Sequence, residues 1–333
     1  MPYTVPYSFD LLRSNSVDLD SEQVAQARKS RDYLKEQIEL VAPRVDYFPK
    51  LYGGYLAFGS FARKTKVQPL DDIDLLLLIS AGAGSFTQYL SFNKYSIVVT
   101  DTSCPTWMYT NDDNRVLNST KVLNKIKSSL SLIPNYKQSD IKRTGEAVVL
   151  GLKSYDWNFD IVPAVPVSNG EDKIDHYLIP DGTGSWKRTD PRRDQKKISD
   201  ANQRHNSNLI PIIRLLKYWN DKYYNVPKIS SYYLETMLIN GFSTYLPMSN
   251  IRGNVSLAFT LLSSAVLGSC PDPKGLEADL DTHASWDDRY KVYTVAQLMA
   301  KYAAEAIGYE NSKNDKAAIE TWRKVFPDFP AYG

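Results

Sequence analysis

Asp72 and Asp74 lie two apart in the run Asp72-Ile73-Asp74-Leu75-Leu76-Leu77-Leu78. Successive side chains of a strand point to opposite faces, so in an extended chain both carboxylates project from one face as close neighbours. Neighbouring carboxylates repel, and burial beside four leucines raises the cost of ionising both unless a cation sits between them. Magnesium suits such a pair, because it takes oxygen ligands, accepts few protein carboxylates and completes its shell with water and phosphate. Upstream, Gly59-Ser60 follows the apolar run Tyr55-Leu56-Ala57-Phe58. A glycine at a strand end lets backbone N–H groups approach a phosphate closely, and Ser60 adds a hydroxyl. The stretch 55–80 therefore reads as strand, Gly-Ser turn, connecting segment and a second strand carrying two aspartates.

Gly59-Ser60, eleven residues and then Asp72-Ile73-Asp74 resembles the nucleotidyltransferase signature of the DNA polymerase β superfamily. Such enzymes use a third carboxylate on a later strand, and Asp160 in Asn158-Phe159-Asp160-Ile161-Val162-Pro163-Ala164-Val165 matches it. The wording GSFARKT, PLDDIDLLLL, NFDIVPAV, LLKYWN (215–220) and SSYYLE (230–235) is similar to bacterial cGAS/DncV-like nucleotidyltransferases, the CD-NTases. These are related to oligoadenylate synthetases and cyclic GMP-AMP synthase. A departure is Lys64, where relatives often carry glycine after Gly-Ser-Phe-x-x. The resemblance implies an α+β fold: a bilobal polymerase β-like core of mixed sheet with helices, a helical C-terminal lobe, and a long N-terminal spine helix joining them. It places the catalytic lobe at 1–185 and the helical lobe, with a short extended tail, at 186–333.

Composition is compatible with that reading. With 333 residues, 43% apolar and 12% aromatic, the chain can bury a sizeable core as one large or two modest domains. A net charge of +2 does not demand a nucleic-acid or membrane partner, and an activating nucleic acid is not indicated. Cys104 and Cys270 stand far apart without a Cys-x-x-Cys partner, which excludes a zinc ribbon and fits a reducing cytosol. The N-terminus has no basic region followed by an apolar stretch, and no run approaches the roughly 18 apolar residues of a membrane span. The expected location is cytoplasmic. None of the three histidines, His176, His205 and His283, adjoins a motif, so a histidine-based mechanism is not expected.

The elements that must position these groups follow from periodicity. Val24, Ala27, Leu34, Ile38 and Val41 predict one long amphipathic helix over 18–42, capped by Ser21 and stopped by Pro43. Residues 94–100 predict a short strand in a loop-rich insert, and 121–131 a helix. Residues 145–152 and 158–165 predict an antiparallel hairpin delivering Asp160 beside the aspartate pair, with Pro163 and Pro166 ending the strand. Residues 179–190 predict a glycine-bearing crossing segment. Helices are then expected at 198–224, kinked or divided at Pro211, and at 231–244, 257–267, 294–307 and 314–326.

In the first of these helices Leu209, Ile212, Ile213, Leu216 and Trp219 should bury one face, with Arg214 and Lys217 near its edge. A helical lysine is ordinarily solvated, but the resemblance assigns Lys217 to the donor triphosphate. It likewise assigns Tyr232 to stacking on the donor base, worth about 1–3 kcal/mol, and Ser231 to the base edge. Ser231 and Glu235 have a sufficient structural explanation as a helix cap and a completed first turn. The clusters Lys187-Arg188, Arg192-Arg193 and Lys196-Lys197 could meet an acceptor nucleotide or activating ligand, although solvated charge is the default for such runs.

The implied chemistry is attack of a ribose hydroxyl on the α-phosphorus of a nucleoside triphosphate, ATP among the substrates, with release of pyrophosphate. Two Mg²⁺ held by Asp72, Asp74 and Asp160 would stabilise the attacking and leaving oxygens. The implied product is a cyclic di- or trinucleotide second messenger of anti-phage (CBASS) signalling. Base identity, ring size and linkage depend on pocket geometry that sequence does not show. Alternatives are a non-cyclising nucleotidyltransferase that modifies RNA, protein or a small molecule, and a non-catalytic nucleotide sensor, which would be expected to have lost a carboxylate. At the C-terminus, Pro327 and Pro330 predict an extended, accessible tail. Its Gly333 is a candidate conjugation point, since several members of the resembled family end in a glycine attached by E1/E2-like, operon-encoded machinery.

Overall fold

The computed structural model describes residues 4–82, 84–88, 93–111, 114–170 and 173–333. In chain order its helices and strands begin with α1 (Val5–Leu12), α2 (Ser21–Val41), β1 (Leu51–Ala57), α3 (Gly59–Ala62) and β2 (Asp72–Ile79). Then come β3 (Gly84–Gln88), β4 (Tyr95–Val99), α4 (Ser119–Leu130), β5 (Asp140–Thr144), β6 (Ala147–Gly151), β7 (Asn158–Ser168), β8 (Ile174–Pro180) and β9 (Trp186–Thr189). The rest is helical: α5 (Pro191–Arg204), α6 (Leu209–Lys222), α7 (Ser231–Phe242), α8 (Val255–Val266), α9 (Trp286–Asn311) and α10 (Asp315–Val325).

Contacts sort the chain into two compact units. One holds Ser21–Ala62 and Leu70–Asp194; the other holds residues through Asp20, Arg63–Pro69 and Gln195–Gly333. The chain thus changes unit at 20/21, 62/63, 69/70 and 194/195, rather than once at 185/186.

The first unit is built on a mixed sheet ordered β1-β2-β7-β8-β9-β4-β3, with β6 also on β7 and β5 on β6. β2 and β7 run parallel, and the other described pairs are antiparallel. From Leu75 to Ile79 every residue of β2 is buried, which explains a continuous apolar run where alternation would mark a strand with one wet face. One layer of the core packs Leu76, Leu78, Val162, Ala164, Tyr177 and Ile179. The helix predicted over 18–42 is α2, which buries Ala27, Leu34 and Ile38.

Several expectations need correction here. β7 does not end at its prolines but runs to Ser168: β6 pairing stops at Ile161 and β8 pairing starts at Val165, so Pro163 falls in the gap between them. On the other side Pro163 keeps its register with Leu77 of β2, so the strand continues through the proline. Residues 179–190 are not a plain crossing segment, because β8 and β9 pair antiparallel from Tyr177↔Thr189 to Pro180↔Trp186. The loop-rich insert also supplies β3, paired with β4 from Gly84↔Val99 to Gln88↔Tyr95, while Ala83 of its glycine-rich start lies outside the described residues.

In the second unit the expected 198–224 helix is two helices, and the division is not at Pro211. It falls at residues 205–208; Pro211 sits in the first turn of α6, where backbone N–H groups lack intrahelical acceptors in any case. α5 also starts earlier, at Pro191, with Asp190 Oδ1 accepting from the backbone N–H of Arg192 at 3.2 Å. α6 does not bury one face only: Leu209, Ile212, Ile213, Leu215 to Asn220 are all buried, as expected of a helix at the centre of a bundle. α1, for which no element was predicted, contributes Val5, Phe9 and Leu12 to this core. The tail is not accessible throughout. Phe326 is buried, and Phe329, 3% exposed, lies edge-on to Phe9 with centroids 5.0 Å apart. Apolar burial outweighs the lack of regular structure there.

Candidate active site

Parallel register sets Asp74 of β2 opposite Asp160 of β7 and Asp72 opposite Asn158. Paired residues share a face of the sheet, as do residues two apart, so three carboxylates converge. Each of Asp72, Asp74 and Asp160 offers an oxygen within 4.8 Å of the other two, and all three side chains are half-buried. Three anionic oxygens at this spacing oppose one another strongly in the absence of a cation, and hard divalent ions favour such all-oxygen ligand sets. The donor set therefore fits magnesium.

Gly59 passes directly beside this cluster. Its φ is +71°, and a β-carbon built on it would lie 1.7 Å from Oδ2 of Asp74. Glycine is required both for the left-handed backbone and for the room Asp74 occupies. Gly59 opens α3, a single turn, and the next residue, Ser60, is half-buried. The Gly-Ser turn and the aspartate strand, adjacent in sequence terms only through eleven residues, thus meet at the carboxylates.

The remaining predicted residues belong to the helical unit. Lys217 is not at a solvated helix edge: it is 7% exposed, and its Nζ donates to Oε1 of Glu235 and to the carbonyl of Thr65, each at 2.8 Å. Glu235, 1% exposed, does more than complete a helical turn. It also accepts from Arg63 Nε at 3.0 Å and from Thr65 Oγ1 at 2.9 Å. Burial pushes the Glu235 carboxyl up, but Arg63 and Lys217 overcome this and hold it below the ordinary carboxylate range. Burial lowers the Lys217 ammonium below the usual lysine range; Glu235 opposes this, while Arg63 and Lys66 add to it.

Tyr232, three residues before Glu235 on α7, is half-buried and carries two cations on its ring. Arg63 lies 5.3 Å and the Lys274 ammonium 4.5 Å from the centroid. Lys274 also meets Oδ1 of Asp272 at 3.0 Å. Ser231 is the exposed first residue of α7; Ser230 occupies the cap position, and no side chain caps the helix. Gly333 is half-buried, beyond the packed Phe329. Arg63, Thr65, Asp272 and Lys274 were not singled out in the sequence, and Glu235 had only a helix-turn role there, yet they surround Lys217 and Tyr232. The available signal was Glu235 itself, the lone charged residue in SYYLETMLINGF, since an isolated carboxylate in an apolar helix calls for a buried partner.

Lys64, which stands where relatives often have glycine, takes φ +61°. The turn keeps its left-handed geometry without the glycine, and the Lys64 carbonyl accepts from Arg214 Nε at 2.8 Å. The three basic clusters are largely engaged within the protein. Lys187 pairs with Glu146, Arg192 and Arg193 with Asp190, Lys196 with Asp200, and Lys197 with the Asn240 amide.

A family model described as the Second Messenger Oligonucleotide or Dinucleotide Synthetase domain matches residues 83–202. Probable cyclic nucleotide synthase IK1_05630 of Bacillus cereus (strain VD146) is 40% identical over 335 residues, spanning 100% of this chain and 99% of the relative. Among solved structures, CdnC of E. coli MS115-1 in complex with HORMA-deltaN superposes with a TM-score of 0.72 at 16% identity, over 98% of each chain. Vibrio cholerae DncV, a cyclic AMP-GMP synthase solved with the linear intermediate 5′ pppA(3′,5′)pG, gives 0.68 at 11% identity, over 98% of this chain and 97% of that one. Forty per cent identity along the full length, on the fold shared with CdnC and DncV, places this chain in the bacterial cGAS/DncV-like nucleotidyltransferase (CD-NTase) family.

Proposed function

We propose that the protein condenses nucleoside triphosphates, ATP among them, into a cyclic di- or trinucleotide second messenger of bacterial anti-phage (CBASS) signalling, in a magnesium-dependent reaction that releases pyrophosphate. The observation that carries this reading is the convergence of Asp72, Asp74 and Asp160 within 4.8 Å across two parallel strands, beside Gly59, whose missing side chain leaves room for Asp74. Full-length similarity to a probable cyclic nucleotide synthase supports the cyclic product.

Asp72, Asp74 and Asp160 would hold two divalent ions. When bound, magnesium supplies positive charge to the attacking and leaving oxygens and favours deprotonation of the attacking hydroxyl. Gly59 keeps the space beside Asp74 clear, and the Ser60 hydroxyl and neighbouring backbone N–H groups are suited to phosphate oxygens. Lys217 contributes positive charge toward the triphosphate, Tyr232 a ring for the base, and Ser231, exposed at the start of α7, a hydroxyl for the base edge. The protein forms no covalent bond to substrate in this scheme; orientation and charge neutralisation carry the rate.

A regulatory partner encoded nearby is part of the proposal, supported by the complex of the relative CdnC with HORMA-deltaN. A cytoplasmic site of action is proposed as well: among the described residues no helix is long and apolar enough to cross a membrane. The test is to incubate the protein with each labelled nucleoside triphosphate and Mg²⁺, treat with phosphatase, and identify resistant products by mass. A phosphatase-resistant cyclic product is expected. Label transferred only to an added RNA, protein or small-molecule acceptor would overturn the reading.

A further inference from the structure

Glu235 is one carboxylate facing several cations in the interior of the helical unit. Around it are Lys217 of α6 at 2.8 Å and, from the 63–69 segment, Arg63 at 3.0 Å and the Thr65 hydroxyl at 2.9 Å; Lys66 acts on Lys217 from the same segment. Lys217 is held a second time by the Thr65 carbonyl. One turn earlier on α7, Tyr232 holds Arg63 and Lys274 against its ring. The first turn of α7 therefore gathers cations from three separate stretches of chain: 63–66, α6 and the loop bearing Lys274.

Stability alone does not account for such an arrangement. A buried ion pair is commonly no better than well-packed apolar groups of similar volume, because desolvation offsets the attraction. What the pair does provide is fixed direction for charged groups. The Lys217 ammonium has three donors, and Glu235 and Thr65 take two of them along defined lines.

We propose that Glu235 is a positioning residue for nucleotide binding, whose carboxylate keeps Lys217 and Arg63 oriented toward the polyphosphate of a nucleoside triphosphate. This rests on the reading that Lys217 engages the triphosphate. Glu235 itself, being anionic and buried, repels phosphate and acts only through its partners.

The test measures the affinity of α,β-methylene ATP and of AMP, together with thermal unfolding, for the full chain and for Glu235→Gln, Lys217→Gln and the double variant. Glu235→Gln should bind the triphosphate about tenfold more weakly while AMP binding is unchanged, as expected for the loss of one charge-assisted contact. As pH rises its triphosphate affinity should fall more steeply than that of the wild type, because Lys217 would face Arg63, Lys66 and burial without its counter-charge. The double variant should recover thermal stability relative to Glu235→Gln without recovering triphosphate affinity. If Glu235→Gln does not fold, Thr65→Val, which removes one bond to the same carboxylate, should still weaken triphosphate binding more than AMP binding. Wild-type triphosphate affinity and pH dependence in Glu235→Gln, or in Thr65→Val if that variant must be used, would overturn the inference while leaving the site reading intact, provided Lys217→Gln binds weakly. Unchanged triphosphate affinity in Lys217→Gln would overturn both.

Discussion

The carboxylate of Asp74 fills the space that a side chain on Gly59 would need, with Oδ2 only 1.7 Å from the position where a β-carbon would sit. Gly59→Ala must therefore either displace Asp74 or shift the turn, on top of roughly 1–2 kcal/mol for a left-handed non-glycine backbone. The expected result is a folded protein with a lowered melting temperature and nucleotidyl transfer reduced at least as much as in Asp74→Asn. Wild-type turnover in this variant would separate the Gly-Ser turn from catalysis.

Replacing Asp72, Asp74 or Asp160 singly by asparagine should abolish product formation while leaving the metal-free melting temperature unchanged or raised, since a like-charge clash is relieved. Mg²⁺ should raise the melting temperature of the wild type, because a ligand that binds only the folded state stabilises it, and should do so less in each variant. Chelation by EDTA should stop product formation, and added Mg²⁺ should restore it. Retained activity above a few per cent in any of the variants would contradict the assignment.

The Glu235 carboxyl is held below its ordinary value of 4.5 by Arg63 and Lys217 against the effect of burial. Its contribution to stability is present above about pH 4.5 and is lost as pH falls further, through the lowered value in the folded protein. A profile of melting temperature against pH should thus drop more steeply below this point in the wild type than in Glu235→Gln. Parallel acid limbs would show that the carboxylate gains nothing from its partners.

Lys64 adopts φ +61°. Glycine would relieve the left-handed strain, at the cost of a more flexible unfolded chain, for a net gain of about 0.5–1 kcal/mol. The Lys64→Gly variant should melt at a higher temperature, and denaturant midpoints will read the difference.

Phe329, near the C-terminus, is 3% exposed and packs edge-on against Phe9, with Trp322 and Phe326 alongside. Phe329→Ala should cost about 3–5 kcal/mol, the range for a large aromatic removed from a core. A loss below about 1 kcal/mol, the usual effect of a surface change, would mean that the segment frays in solution.

Local chemistry determined much of the candidate site before any fold was known. Two aspartates on alternate residues of a strand must share a face whatever surrounds them, because the strand period is 2. A Gly-Ser turn ahead of them, with the blocks around Asp160, Lys217 and Tyr232 in order, was enough to indicate the family. Helix and strand positions followed wherever the apolar period was long, as in α2 and the β6–β7 hairpin.

Tertiary structure decided what depends on partners distant in sequence. The parallel register of β2 and β7 sets Asp74 opposite Asp160, and no local pattern encodes a register between strands more than eighty residues apart. Pro163 stays inside β7 because its neighbours change there, and Pro211 stays inside α6 because it falls in the first turn. Glu235 looked like a routine helical residue until Arg63 and Thr65, 172 and 170 positions away, closed around it. The hydrophobic period says which side of an element is buried; it is silent about which charged group a buried carboxylate will meet, since Coulombic attraction and hydrogen bonding act through space and not along the chain.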